Sequence, residues 1–167
     1  MKRLMLLAAT LASVWGGACA ALQARMDVRK VVERGNEAWI EAQRTLDPTP
    51  LRAWFRDQAL QDFAEDLALS RTSGAVALVD QPRIVYERIS VDTLDRGATV
   101  QTLETWQYSA HRLGSGECLY RAGPNSTRVT YLLRRDGARW YVVSTTSEAQ
   151  GERAPRRACE ERSSPPR

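Results

Sequence analysis

Six side chains in this sequence could move protons: Glu104, Tyr108, Tyr86, Asp92, Tyr131 and His111. General acid–base work needs a group titrating near the working pH and a second group that orients it. His111 is the single histidine, beside Arg112 and the glycine-rich Leu113 to Gly116. No orienting acid accompanies it, so it reads as an exposed loop histidine. Glu104 is more telling. In Gly97 to Ala110 (GATVQTLETWQYSA), alternation puts Ala98, Val100, Thr102, Glu104, Trp106 and Tyr108 on one strand face. A carboxylate on that mostly apolar face must find a partner or give up its charge. It is either an acid, base or anchor for a ligand cation, or one half of an internal ion pair. As an acid or base it would work with Tyr108 or Asp92, which makes Glu104, Tyr108 and Asp92 the catalytic candidates. For the ion pair, parity offers Arg88, Arg128 or Arg134 on neighbouring strands, and this structural role is the expectation.

Other chemistries lack their residues. One histidine and scattered cysteines supply no metal-ligand pair at helix or hairpin spacing. There is no glycine-rich phosphate loop, no serine nucleophile elbow and no Cys/His pair with an orienting acid, so no cofactor is expected. The aromatics Trp39, Trp54, Trp106, Tyr108, Tyr131, Trp140 and Tyr141 fall at helix or strand periodicity, where large rings usually build a core. Were a cleft present, Trp106, Tyr108, Tyr86 and Glu104 would line it.

The elements that must carry these residues follow from spacing. Asp27 can cap a helix over 28–46, whose stripe is Val28, Val32, Gly35, Trp39, Ala42 and Leu46. Gly35 in that stripe implies close approach of the sheet. Asp47-Pro48-Thr49-Pro50 ends this helix and starts the next, with Thr49 as cap, Leu51, Trp54 and Phe55 inward, and a break near Arg56-Asp57. Residues 71–81 read as a linker with a short strand at 75–79. Pro82 to Thr93 and Gly97 to Ala110 read as a hairpin across Asp95-Arg96-Gly97. A short strand at 117–121, a turn at Gly123-Pro124-Asn125-Ser126, and a hairpin of 128–135 with 139–146 across Asp136-Gly137 complete the pattern.

The ends are different in kind. The formal charge is +4, of which Lys2 and Arg3 contribute +2 and the tail from Gly151 another +2, so residues 20–150 balance to zero. The body therefore makes no net electrostatic claim on phosphate, and nucleic acid is not expected as a partner. A basic start, an apolar run from Leu4 to Trp15 and small residues Gly16 to Ala20 have the three parts of a secretory signal over residues 1–20. Cleavage after Ala20 would release a soluble periplasmic protein. Gly16-Gly17-Ala18-Cys19 instead resembles a bacterial lipobox, in which Cys19 is lipidated and anchors the chain to the membrane as a lipoprotein. In an oxidising compartment Cys118 and Cys159 can form a disulfide, or Cys159 can pair only occasionally from a loose tail. That tail, 151–167, is rich in Pro, Ser, Arg and Glu and reads as disordered, leaving 21–150 as a single domain.

Helices first and antiparallel strands after is an α+β order. It resembles the nuclear transport factor 2-like, or cystatin-like, cone: a long N-terminal helix plus short helices packed on a curved antiparallel sheet. Narrower motifs resemble the intermembrane-space (IMS) domain of chloroplast division proteins and its bacterial relatives. These are Trp39 with Ala42, Ala98 and Val100 ahead of Glu104 and Trp106, Tyr131 with Leu133, and Asp136-Gly137 followed by Trp140, spanning residues 28–146. That resemblance implies a cone without a catalytic set and a non-enzymatic cleft. The chain departs from the division proteins in its export signal and in lacking their other domains. Three functions follow as expectations: an exported binding or accessory domain for a peptide, protein or small apolar ligand; a small isomerase or dehydratase using Glu104; or an interaction module of the cell envelope.

Overall fold

The computed structural model describes residues 2–92 and 96–159. Helix α1 (Lys2–Thr45) is followed by a 3-10 turn (Thr49–Ala53) and helix α2 (Asp57–Thr72). Strands β1 (Ala75–Asp92), β2 (Gly97–Arg112), β3 (Cys118–Asp136) and β4 (Arg139–Gln150) come after them. The four strands form one antiparallel sheet in chain order. The helices cover one face of this curved sheet, which is the α+β arrangement expected.

Period-2 alternation decides which face is covered. On β2, Ala98, Val100, Thr102 and Glu104 are buried, and Val129, Tyr131 and Leu133 of β3 with Trp140 and Val142 of β4 extend the same face. Opposite them lie Val28, Val31, Val32, Ala38 and Ala42 of α1, joined by Leu51, Phe55, Ala59 and Leu67. One core results, closed between helices and sheet. Exposed Leu132 shows the opposite, outer face of β3.

Several boundaries differ from expectation. Asp27 is not a cap, because α1 runs through it; its carboxylate accepts from Gln23 Nε2 at 2.8 Å one turn earlier. Thr49 is not the cap of the next segment either. Asp47 Oδ1 accepts the Thr49 N–H at 2.9 Å, and Pro50 takes the first turn. Gly35 makes room for Phe55 rather than the sheet, since a Cβ there would lie 3.0 Å from the Phe55 ring. Phe55 is in turn fixed by a parallel bridge to Val142.

Residues 75–81 are no linker. Residues 75–80 pair with 107–112 in the first half of β1, an edge strand whose register shift between Asp80 and Arg83 takes up Gln81 and Pro82. Likewise Gly123-Pro124 is not a turn but a bulge within a continuous β3, where the pairing skips between Trp106 and Tyr108. Such bulges bend a strand and increase its twist.

The turn at Asp95 falls partly outside the described residues. The tail expected to be disordered is instead held as far as Cys159. Arg121 and Arg157 exchange backbone hydrogen bonds of 2.9 and 2.8 Å, Asn125 Oδ1 accepts the Ala154 N–H at 2.8 Å, and Arg156 lies over the Tyr120 ring. A disulfide joins Cys118 to Cys159, with Cα atoms 6.0 Å apart. Composition alone missed this strap because backbone bonds, one side-chain acceptor, a ring contact and a covalent link hold it in place of a periodic apolar face. Residues 160–167 lie outside the described part. Cys19 is unpaired and exposed on α1. Among the described residues no helix is long and apolar enough to cross a membrane.

Candidate functional site

Glu104 sits mid-strand on the covered face, opposite Ile84 of β1 and Thr127 of β3, with no exposed surface. Its oxygens accept from Tyr131 Oη at 2.7 Å, Thr102 Oγ1 at 2.7 Å, Gln81 Nε2 at 2.8 Å and, more weakly, Asn36 Nδ2 at 3.4 Å. Tyr131 Oη is also 3.0 Å from Asn36 Oδ1. Every donor is uncharged. The expected arginine partner is therefore not there: Arg128 forks onto Glu87 at 2.8 and 3.2 Å, Arg134 meets Asp57 at 2.7 Å, and Arg88 is exposed. Parity placed these arginines on strands, but on the outer face or at the rim. The carboxylate is satisfied by hydrogen bonds in place of countercharge. The effect reaches its neighbour. Burial first, and then the nearby Glu104 charge, push the Tyr131 hydroxyl well above the usual tyrosine range.

The catalytic candidates do not converge. Tyr108 is four residues along β2 from Glu104, about 13 Å at strand rise. Asp92 lies eight residues along β1 from Ile84, the partner of Glu104, roughly 25 Å away. Tyr86 is occupied elsewhere: its ring lies under the Arg29 guanidinium at 4.5 Å and its hydroxyl donates to the Arg29 carbonyl at 3.4 Å. Burial, followed by the Glu33 charge, raises that hydroxyl as well. His111 is not in a loop but at the end of β2. Its Nδ1 donates to the Gly116 carbonyl at 3.1 Å, so Nε2 accepts from Ser109 Oγ at 2.9 Å. Among the described residues no carboxylate is hydrogen-bonded to the ring. Among the described residues there is no cluster of three or more His, Cys, Asp or Glu placed to hold a metal.

What the fold does assemble is a hollow of about 370 Å³ on the covered side, beyond Glu104 toward the far end of β2. The next two even residues of β2, Trp106 and Tyr108, form its floor with Ala77 and Val79 of β1, and Trp39, Gln43, Asp66, Leu69 and Ser70 wall it from the helices. Trp39 is held by Phe63, ring centres 4.5 Å apart, and Phe63 by Phe55 edge-on at 4.8 Å. This hollow is open and shallow, and others are more enclosed, including one of about 280 Å³ that Trp106 and Tyr108 share with Asn125 and Ser147. Another of about 470 Å³ lies under the tail strap beside Arg121 and Arg157, and one of about 610 Å³ runs along the charged outer surface of α1. Of the four residues expected to line a cleft, Trp106 and Tyr108 do so, whereas Tyr86 and Glu104 do not.

No family model and no curated protein matches the sequence. The fold is nevertheless found among solved structures. The crystal structure of the intermembrane-space region of the chloroplast protein ARC6 superposes with a TM-score of 0.60 at 11% identity, covering 72% of this chain and 96% of that one. A conserved protein from Planctomyces limnophilus DSM 3776 aligns over 75% of this chain and 98% of its own at 14% identity, with a TM-score of 0.47. The ARC6 likeness establishes a related fold.

Asn36, Gln43, Gln81 and Asp66 carry the site and were not singled out from sequence. A signal existed for two of them. Asn36 and Gln43 are seven residues apart, two helical turns, at the border of the apolar stripe, where a buried amide needs a reason.

Proposed function

We propose that this domain is an exported, non-enzymatic binding module related to the IMS domains, and that it receives its ligand in the hollow floored by Trp106 and Tyr108. The observation that carries this reading is the separation of the two features. Among the described residues the buried carboxylate of the sheet, Glu104, is sealed and satisfied, while the accessible concavity is lined chiefly by aromatic and amide groups, with Asp66 and Ser70 from α2 and no second acid or base described beside them. Export is supported by the secretory character of residues 1–20 and by the Cys118–Cys159 bond, which an oxidising compartment sustains. Cys19 offers lipid anchoring to the envelope membrane if it becomes the mature N-terminus.

The test is a fragment screen followed by the indole N–H signals of the tryptophans in two-dimensional NMR. Binding should displace the signals of Trp39 and Trp106 while leaving Trp140, a core residue, in place. Fragments that shift only other regions would refute the assignment. So would turnover of a substrate that Glu104→Gln abolishes with the fold intact.

A further inference from the structure

Gln43 is 6% exposed, yet its Oε1 has no hydrogen-bond partner among the described residues. A buried amide oxygen left dry costs about 1–3 kcal/mol, so an unpaired one at a cavity wall marks a place where a donor is awaited. Oε1 itself is shut off from solvent, and no described side chain fixes the amide, so a half-turn about the last side-chain bond brings the oxygen to the hollow and puts Nε2 in its place. Three aromatic rings, Trp39, Trp106 and Tyr108, border the same space. At its rim stands Asp66, which no described cation or donor offsets; burial first, and then Asp62 and Glu65, push its carboxyl above the usual range. Ser70 adds a hydroxyl, and no lysine or arginine lines the hollow.

Three groups of this pocket, the Gln43 amide oxygen, the Ser70 hydroxyl and the Asp66 carboxylate, can accept from a positively charged hydrogen-bond donor. Ring faces attract a cation within about 6 Å, an amide oxygen and a hydroxyl accept from it, and a free carboxylate neutralises it. We propose that the hollow between α1, α2 and β2 binds an alkylammonium group, with Trp39, Trp106 and Tyr108 as its cage, Gln43 as acceptor and Asp66 as counterion. This rests on the binding reading above and names its ligand class. An alkylammonium comes either from a free amine or from a lysine side chain in a peptide.

The experiment titrates the full-length protein with cadaverine, with the neutral isostere 1,5-pentanediol, and with acetyl-Gly-Lys-Gly-amide, following tryptophan fluorescence and the Trp39 and Trp106 indole signals. The cation should bind roughly tenfold more tightly than the neutral isostere. Asp66→Asn should weaken the cation several-fold and leave the diol unchanged, with the same unfolding midpoint or a higher one. Stronger binding of cadaverine assigns a free amine, and stronger binding of the peptide assigns a lysine side chain. Equal binding of diol and diamine overturns the ammonium inference while leaving an apolar cleft. Silence of all three probes at these tryptophans, while other fragments shift them, also overturns it. If nothing shifts them, both readings fall. Gln43→Leu gives a second check: it should lower cadaverine affinity without lowering stability, because it removes an amide that has no partner.

Discussion

Replacing Glu104 tests whether its role is structural, because the network specifies how much each replacement should cost. In Glu104→Ala, Tyr131 Oη and Thr102 Oγ1 both lose an acceptor at 2.7 Å inside the core. Each has a fallback of poorer geometry, Asn36 Oδ1 at 3.0 Å for Tyr131 and the Val129 carbonyl at 3.4 Å for Thr102. Gln81 is only part-buried and can turn to water. Two weakened buried hydrogen bonds at about 1 kcal/mol each, plus the cavity left by the missing side-chain atoms, bring the loss to about 3–4 kcal/mol. Glu104→Gln keeps the volume and one oxygen for Tyr131 and Thr102, and its new amide can donate to Gln81 once that side chain flips, so it should cost only about 1 kcal/mol. Urea unfolding of both variants, followed by circular dichroism and tryptophan fluorescence, measures the difference. If Glu104→Ala costs less than Glu104→Gln, or if the alanine variant is as stable as the parent, the carboxylate is not the structural hub described here.

Alkaline pH gives a second handle. The Tyr131 hydroxyl keeps its proton to higher pH in the folded chain than in the unfolded one. Its stabilising share is thus complete below about pH 10 and is lost as pH climbs toward the raised folded value, with a slope of up to about 1.4 kcal/mol per pH unit. Tyr131→Phe should lower stability at neutral pH and flatten the decline above about pH 10, measured by denaturant unfolding on both sides of that pH; equal slopes would contradict it. Gly35→Ala weighs a gain in helix propensity of about 1 kcal/mol against overlap with the Phe55 ring. Because Phe55 is locked between Phe63 and the Val142 bridge, the overlap should win by about 1–2 kcal/mol, and a more stable alanine variant would show that the ring can yield.

The large features of the fold were legible because they depend on periodicity. The stripe of α1 and the even face of β2 are both readable from spacing alone, and both are buried except at Trp39, Trp106 and Tyr108, which are half-buried around the hollow. The misreadings occurred where local chemistry is ambiguous. Pro82 and Gly123-Pro124 have the composition of breaks, yet edge position in one case and a bulge in the other let the ladder continue through them. Alternation puts Glu104 on the buried face, where it lies, but counting charges by parity points to arginines. Its actual partners, Asn36, Thr102, Gln81 and Tyr131, are neutral and come from elements far apart in sequence. The hollow was half legible: Trp106 and Tyr108 follow from β2, whereas the contribution of α2 through Asp66 and Ser70 depends on how that helix docks.

Glu104 draws its donors from α1, β1, β2 and β3 at once. A one-residue slip of β2 would turn that carboxylate to the outside and strand Tyr131 beside a leucine, so the misaligned sheet forfeits the whole network together. The carboxylate therefore works as a registration pin that seats only when helix and strands have arrived in the right alignment.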